Sequence, residues 1–325
     1  MKNIVISVVM IVFLISCSTT QYPHETIEEI RRLSKTDDPA TIVVMIPSQN
    51  GNLVQVRIAK PAGSGPFPAI IGCAGGDDTL AFFEGLQETI LNMGVVAVDF
   101  APQGRGSSQG EDDHYGKNHQ EDLKSIIEFT AGLDFVNSRE IGLISFSFGV
   151  VLAAGTLATY PDLPVNFLID VEGPSCPGKD ILGAIERNAD WVYKIPFLLS
   201  QDINYKDHLD TLLLHGATIY DTEYWNQRDA GLFVKTLPCP YLRIQADRDH
   251  VQGYEKYHMM RIINSVSQDA GQWSRCNRNP PNIIYTEDNI DQYEFFPFFG
   301  GSYTLLEDIV SPFVYEMIFD RPWEK

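Results

Sequence analysis

Basic residues are scarce in this chain. Its 325 residues carry 24 Lys and Arg against 43 Asp and Glu, a formal charge of −19 at neutral pH, and the pI lies near 4.6. Such a surface repels a polyanion, so nucleic acid is excluded as a partner. Beyond that exclusion, an acidic balance says only that the surface is well solvated. Repeats and low-complexity stretches are absent. Cysteine is sparse, with five in all, and the spacings match no metal signature. Histidine is sparse too, and its seven copies become the central problem below. Apolar residues, by contrast, make up 44% of the chain, enough for a sizeable core in one large α/β domain or two smaller ones.

Long apolar runs are confined to the start. After "MKN", the run "IVISVVMIVFLIS" is shorter than the roughly 20 residues that a membrane span needs, and it ends at Cys17. Leu14-Ile15-Ser16-Cys17 resembles the bacterial lipobox. The resemblance implies a signal peptide over 1–17 and a lipidated, palmitate-bearing Cys17 as the first mature residue. Ser18 in place of an aspartate implies sorting to the outer membrane of the cell envelope. The polar residues 18–38 then read as a tether, His24 among them, leaving a fold anchored to a membrane without being embedded in it. Of the four remaining cysteines, Cys73 and Cys239 lie in or beside apolar strands and are expected as buried free thiols. Cys176 and Cys276 have no assignable pairing.

From residue 39 onward, β-branched runs alternate with helical ones. "TIVVMIPS" and "NLVQVRIAKP" (41–48 and 52–61) read as a hairpin through Asn50-Gly51. "FPAIIGCAGG" (67–76) reads as a strand running into a glycine-rich turn and "VVAVDFAPQGRGSSQG" (95–110) as a strand followed by a loop; "EIGLISFS" (140–147) and "VNFLIDVEGP" (165–174) read as strands, and the strand pattern resumes at "CPYLRIQADRDHVQ" (239–252) and "NIIYTED" (282–288). Helices are expected over 79–94, 118–133, 148–160, from about 253 to 268, and within 301–319. Fully apolar strands alternating with helices specify an α/β class fold, a mostly parallel sheet covered on both faces. Residues 175–237 break the rhythm, being helical and aromatic, and read as a cap inserted between core segments 39–174 and 238–325. The cap's aromatic residues, Trp225 and Tyr224 among them, are expected as its own core more than as a pocket lining.

Ser145-Phe146-Ser147-Phe148-Gly149 falls at a strand-to-helix junction. A sharp turn there demands small neighbours, because side chains flanking the strained serine collide with the adjoining strand and helix. In order along the chain, "PAIIGCAGG", "VDFAPQGRGSS", "IGLISFSFG" and "PCPYLRIQADRDHV" resemble the α/β-hydrolase superfamily, and most closely its dienelactone-hydrolase-like branch. Ser145 stands where the usual G-x-S-x-G has glycine. The resemblance implies Ser147 as nucleophile and the Phe148 N–H as one oxyanion donor. The second donor is assigned to the turn after the third strand, at Gly76 with Gly75 and Ala74 close behind. Asp249 matches the family's acid, with Asp247 a nearby decoy.

The departure concerns the base. The family places a histidine after the last strand, and "NIIYTEDNIDQYEFFPFFGG" has none. Without a base, a serine hydroxyl is a poor nucleophile at neutral pH. His250 is the leading substitute, because it sits on the active-site edge beside Asp249. Neighbouring residues in an extended segment point oppositely, so Asp170 or Glu172, at the end of the strand "FLIDVEG", are alternative acids for it. His114, His208 and His215 stand behind His250, and the absence of any functional base stays open. His258 reads as a packing residue. His114 and His119 lie in "QGEDDHYGKNHQED", expected as a solvated acidic loop with no metal-ligand spacing. The expected protein is therefore a membrane-anchored serine hydrolase acting on small-molecule carboxylic esters, or on peptides or amides. No metal or organic cofactor is implied. The rival is an inactive fold serving as a binding lipoprotein.

Overall fold

A computed structural model of the chain describes residues 22–76, 79–80, 85–175, 221–248, 255–267, 273–297 and 303–320. Among them, eight strands form one sheet in the order β1-β2-β4-β3-β5-β6-β7-β8. β1 (Ala40–Pro47) and β2 (Leu53–Lys60) form the expected hairpin, in register from Ala40↔Lys60 to Pro47↔Leu53. Its turn closes through the Ser48 N–H donating to the Asn52 carbonyl at 2.8 Å. β2 also runs antiparallel to β4 (Val96–Ala101). The remaining neighbours are parallel, through β3 (Phe67–Cys73), β5 (Val136–Phe146), β6 (Phe167–Val171), β7 (Tyr241–Ile244) and β8 (Ser274–Cys276).

Burial follows from this arrangement. β4, β6 and β7 are buried at every position, as parallel strands covered on both faces must be. β1 lies at the edge and alternates between buried and more exposed positions. Two apolar layers result. On one face Leu123, Ile126 and Ile127 of α3 (Lys117–Ala131), Val150 and Leu157 of α4 (Gly149–Thr159), and Ile262 and Val266 of α7 (Glu255–Ser267) close over the strands. On the other, Ile90 of α2 (Gln87–Asn92) joins Val310, Phe313 and Met317 of α8 (Tyr303–Phe319). Each such side chain, fully buried, contributes about 1.5–3 kcal/mol from removal of apolar surface from water.

Two readings of the sequence are corrected here. Residues 24–35, assigned to a tether, form the helix α1 (His24–Lys35). Ile27, Ile30 and Leu33 make a stripe at helical spacing, Leu33 is buried, and the Thr26 hydroxyl donates to the Met45 carbonyl of β1 at 2.7 Å. The final strand is also not at 282–288. It is the three-residue β8, whose Ser274, Arg275 and Cys276 pair with Tyr241, Leu242 and Arg243. A polar three-residue strand carries no apolar alternation, so its pairing comes from β7 and not from local pattern.

The described end of the expected cap, residues 221–237, is helical as read. α5 (Thr222–Asn226) and α6 (Ala230–Phe233) are capped by Asp221 and Asp229, whose carboxylates accept from the Tyr224 and Leu232 N–H groups. Trp225 is buried with the Tyr224 ring set edge-on against it. Cys73, Cys239 and Cys276 are free and buried, and burial pushes all three thiols up, Cys239 and Cys276 to about 12.

Candidate active site

Ser147 follows β5 directly and precedes the first turn of α4. Its φ of +51° places a non-glycine residue in the left-handed region, a conformation that costs on the order of 1–3 kcal/mol and persists only where its surroundings impose it. They do so here. The Ser147 N–H donates to the Val171 carbonyl of β6 at 2.8 Å, and its own carbonyl accepts from Val150 at 3.2 Å. The two small neighbours are required sterically. A Cβ on Gly149 would lie 2.1 Å from the Cys73 carbonyl oxygen, and one on Gly75 would lie 2.8 Å from Ser147 Cβ. Ser145, at the usual glycine position, is fully buried, and its hydroxyl donates to the Ile169 carbonyl at 3.3 Å. The extra oxygen therefore ties β5 to β6. Among the described residues, Ser147 Oγ makes no hydrogen bond.

The turn after β3 lies beside this serine. Gly76 has φ +52°, and among the described residues no acceptor takes the N–H of Gly75 or Gly76. Phe148 N-caps α4 with its ring buried. The loop after β4, expected to be solvated, is instead pinned by two buried arginines. Arg105 donates to Asp112 at 2.8 Å, to the Gly76 carbonyl at 2.6 Å and to the Tyr115 hydroxyl at 2.9 Å. Burial alone would raise the Asp112 carboxyl, and the Arg105 guanidinium outweighs it and leaves it lowered. Arg228, between α5 and α6, donates to the His114 carbonyl at 2.9 Å and to the Asp113 carboxylate at 2.9 Å. The sequence reading passed over Arg105, Tyr115 and Arg228. Arginine and tyrosine among the glycines of "APQGRGSSQGEDDHYG" were the available signal.

The two alternative acids have different surroundings. Asp170 is fully buried opposite Arg243 in the β6–β7 register. Its Oδ2 accepts from Arg243 at 2.6 Å and from the Tyr241 hydroxyl at 2.5 Å. Its Oδ1 accepts from the Gly173 N–H at 3.1 Å and lies 3.5 Å from Ser145 Oγ. With both oxygens doubly engaged, Asp170 is an internal ion-pair partner. Glu172 follows Val171, the residue whose carbonyl holds the Ser147 N–H. It is buried with φ +52°, and its Oε1 accepts from the Ala246 N–H at 3.0 Å. Glu172 thus stands at the same sheet edge as Ser147 and against the segment leading to Asp249. Asp247 is exposed, and its N–H donates to the Phe296 carbonyl at 2.7 Å. Cys17, Asp249, His208, His215 and His250 lie outside the described residues, as do residues 176–220 of the expected cap.

Of the described histidines, none bonds Ser147 Oγ. His24 is exposed on α1. His119 Nδ1 accepts from the Tyr115 N–H at 3.1 Å, and its Nε2 lies 2.9 Å from the Gln103 carbonyl. Burial, reinforced by Arg105, pushes His119 down to about 3. His258 Nδ1 lies 3.2 Å from both the N–H and the hydroxyl of Ser175, and burial with Arg243 and Arg261 nearby lowers it to about 3. His114 is buried with φ +46°, its ring 5.0 Å from that of Phe148.

No family model and no curated protein sequence matches the chain. Solved structures do. The Pyrococcus furiosus esterase PF2001 superposes with a TM-score of 0.55 at 13% identity, covering 92% of this chain and 96% of that one. Acetyl xylan esterase 1 from Thermoanaerobacterium sp. JW/SL YS485 gives a TM-score of 0.55 at 14% identity, covering 92% and 95%. Porphyromonas gingivalis dipeptidyl peptidase 4 gives a TM-score of 0.55 at 15% identity over 88% of this chain, which spans 37% of that longer protein. With the strand order, the antiparallel second strand and the strained serine between β5 and α4, the chain has the α/β-hydrolase fold.

Proposed function

We propose that this protein is a serine hydrolase, anchored to the outer membrane of a bacterial envelope through Cys17 and acting on small-molecule carboxylic esters. The observation that carries the reading is Ser147: a half-buried hydroxyl held at φ +51° on a strand-to-helix turn, with no hydrogen bond among the described residues. A serine kept in a strained conformation by close glycine contacts is built for presentation, not packing.

The mechanism is acyl transfer. Ser147 Oγ attacks the ester carbonyl carbon while His250 takes the hydroxyl proton. The carbonyl oxygen becomes an oxyanion held by the Phe148 N–H and an N–H of the 74–76 turn, Gly76 first. Collapse breaks the carbon–oxygen bond to the leaving alcohol, which receives the proton. Water then repeats the sequence on the acyl-enzyme and frees the acid. Asp249 is the acid that orients the base, with Glu172 the alternative now supported over Asp170, whose oxygens are taken by Arg243 and Tyr241. Peptides or amides are the second substrate class.

A binding lipoprotein without catalysis is the second reading, and the histidine-free stretch after β8, residues 277–302, is the observation that favours it. Turnover of p-nitrophenyl acetate and butyrate by the chain and by Ser147→Ala decides between them. The hydrolase reading expects measurable turnover that the variant loses by at least about 10³-fold. Equal background rates in both proteins would leave the binding reading.

A further inference from the structure

Tyr115 sits where no catalytic role is usually sought, thirty-two residues before the nucleophile in a loop above the sheet. Its hydroxyl lies 2.7 Å from the Ala74 carbonyl and 2.9 Å from the Gly76 carbonyl. Arg105 donates to that hydroxyl and to the Gly76 carbonyl, and its guanidinium stacks 4.5 Å above the Tyr115 ring. The Tyr115 ring in turn meets the Phe148 ring at 5.3 Å, edge to face. One side chain therefore touches both elements that flank Ser147.

We infer that Tyr115 is a positioning residue that sets the oxyanion hole. The inference rests on the reading of Ser147 as nucleophile. A peptide unit is planar and trans, so the carbonyl of one residue and the N–H of the next point to opposite sides. With the Ala74 carbonyl held toward Tyr115, the Gly75 N–H faces the other way. With the Gly76 carbonyl held by Tyr115 and Arg105 as well, the Gly75–Gly76 peptide, which carries the Gly76 N–H, is fixed between two anchored planes. Preorganised donors stabilise a developing oxyanion because nothing has to reorient as charge forms. The loop itself is held for this task. His114 and Tyr115 have φ of +46° and +62°, two consecutive strained residues. Arg228, almost fully buried, donates to the His114 carbonyl and to the Asp113 carbonyl and carboxylate on the same arch.

Tyr115→Phe is the test, since it keeps the ring contacts and removes only the hydroxyl. Displacing a donor without deleting it is expected to lower kcat for p-nitrophenyl acetate by about 10- to 100-fold, with KM within about twofold. An aryl trifluoromethyl ketone, whose serine adduct carries an oxyanion, is expected to bind more weakly by the same factor as kcat/KM falls. Asp112→Asn loosens Arg105 from a half-exposed position, and a smaller loss with the same pattern is expected, so a Tyr115→Phe chain that fails to fold does not end the test. An unchanged kcat in either folded variant, or a loss confined to KM, overturns the inference while leaving Ser147 in place. A wild-type chain with neither turnover nor inhibitor binding overturns the nucleophile reading, and this inference with it.

Discussion

The loops after β3, β4 and β5 form one half of the candidate site, and the segments after β6, β7 and β8 form the other. The first half is built almost wholly from backbone. A glycine turn, a strained serine and a helix start are fixed by contacts as close as 2.1 Å to any added Cβ, and two buried arginines clamp the loop above them. The second half is built from side chains: the Asp170–Arg243 pair, Gln245, and Glu172 against the Ala246 N–H. Nucleophile and oxyanion donors need a particular chain path, and glycine spacing writes that path into sequence. An acid and a base need only reach, and many loops supply reach. That difference is why the close backbone turns at Gly75, Ser147 and Gly149 leave a mark in the sequence and the side-chain half leaves none.

The strongest way to break the comparison is to remove the base proposed for the side-chain half. His250→Ala is expected to lower ester turnover by several orders of magnitude, as deletion of a triad base does. A near-normal rate would move the role to His114, His208 or His215 and show that the base comes from the loop or the cap. A smaller effect is expected on stability from the same half. Arg243→Met leaves the fully buried Asp170 carboxylate without its cation, and breaking one partner of a buried pair costs about 3–5 kcal/mol, measured as a fall in the urea midpoint. A loss below about 1 kcal/mol would mean that the Tyr241 hydroxyl and Gly173 N–H suffice for that charge.

The smallest effect is graded with pH. His119 and His258 are held near 3 in the fold, well below the ordinary 6.5, so the unfolded chain binds their protons first and stability is lost as pH falls below 6.5. Asp122, accepting from the Gln103 N–H and side chain, is raised by burial to about 6 and acts in the opposite sense, contributing stability below about pH 4 that is lost as pH rises through 6. Two histidines against one aspartate leave unfolding with a net uptake of about one proton, so stability declines as pH falls between roughly 6 and 4. His258→Gln is expected to flatten that slope in thermal melts, and an unchanged slope would refute the assignment.

Much of the architecture was legible because apolar parallel strands announce themselves. β1 to β7, both long helices flanking β5, and α8 lie within a few residues of where the periodicity puts them. What escaped had a physical reason. β8 is Ser274, Arg275 and Cys276, a strand that exists because β7 offers it a partner, so local propensity pointed instead to the β-branched 282–288. α1 was hidden by its charged face, though Ile27, Ile30 and Leu33 carried the spacing. Asp170 read as a candidate acid because a lone carboxylate in a buried strand is unusual. Arg243 in "YLRIQ" was the equally unusual partner that the register Asp170↔Arg243 brings beside it. The Tyr115 arch was only half legible: arginine and tyrosine among the glycines mark the loop, but two left-handed non-glycine residues leave no compositional trace of its path.

The most direct test is covalent. Treated with a fluorophosphonate, the full chain is expected to gain one equivalent of adduct, located by mass spectrometry on the peptide holding Ser147 and absent from Ser147→Ala. An unmodified wild-type chain, or an adduct on any other serine, would contradict the claim that the hydroxyl held at the β5–α4 turn is a nucleophile.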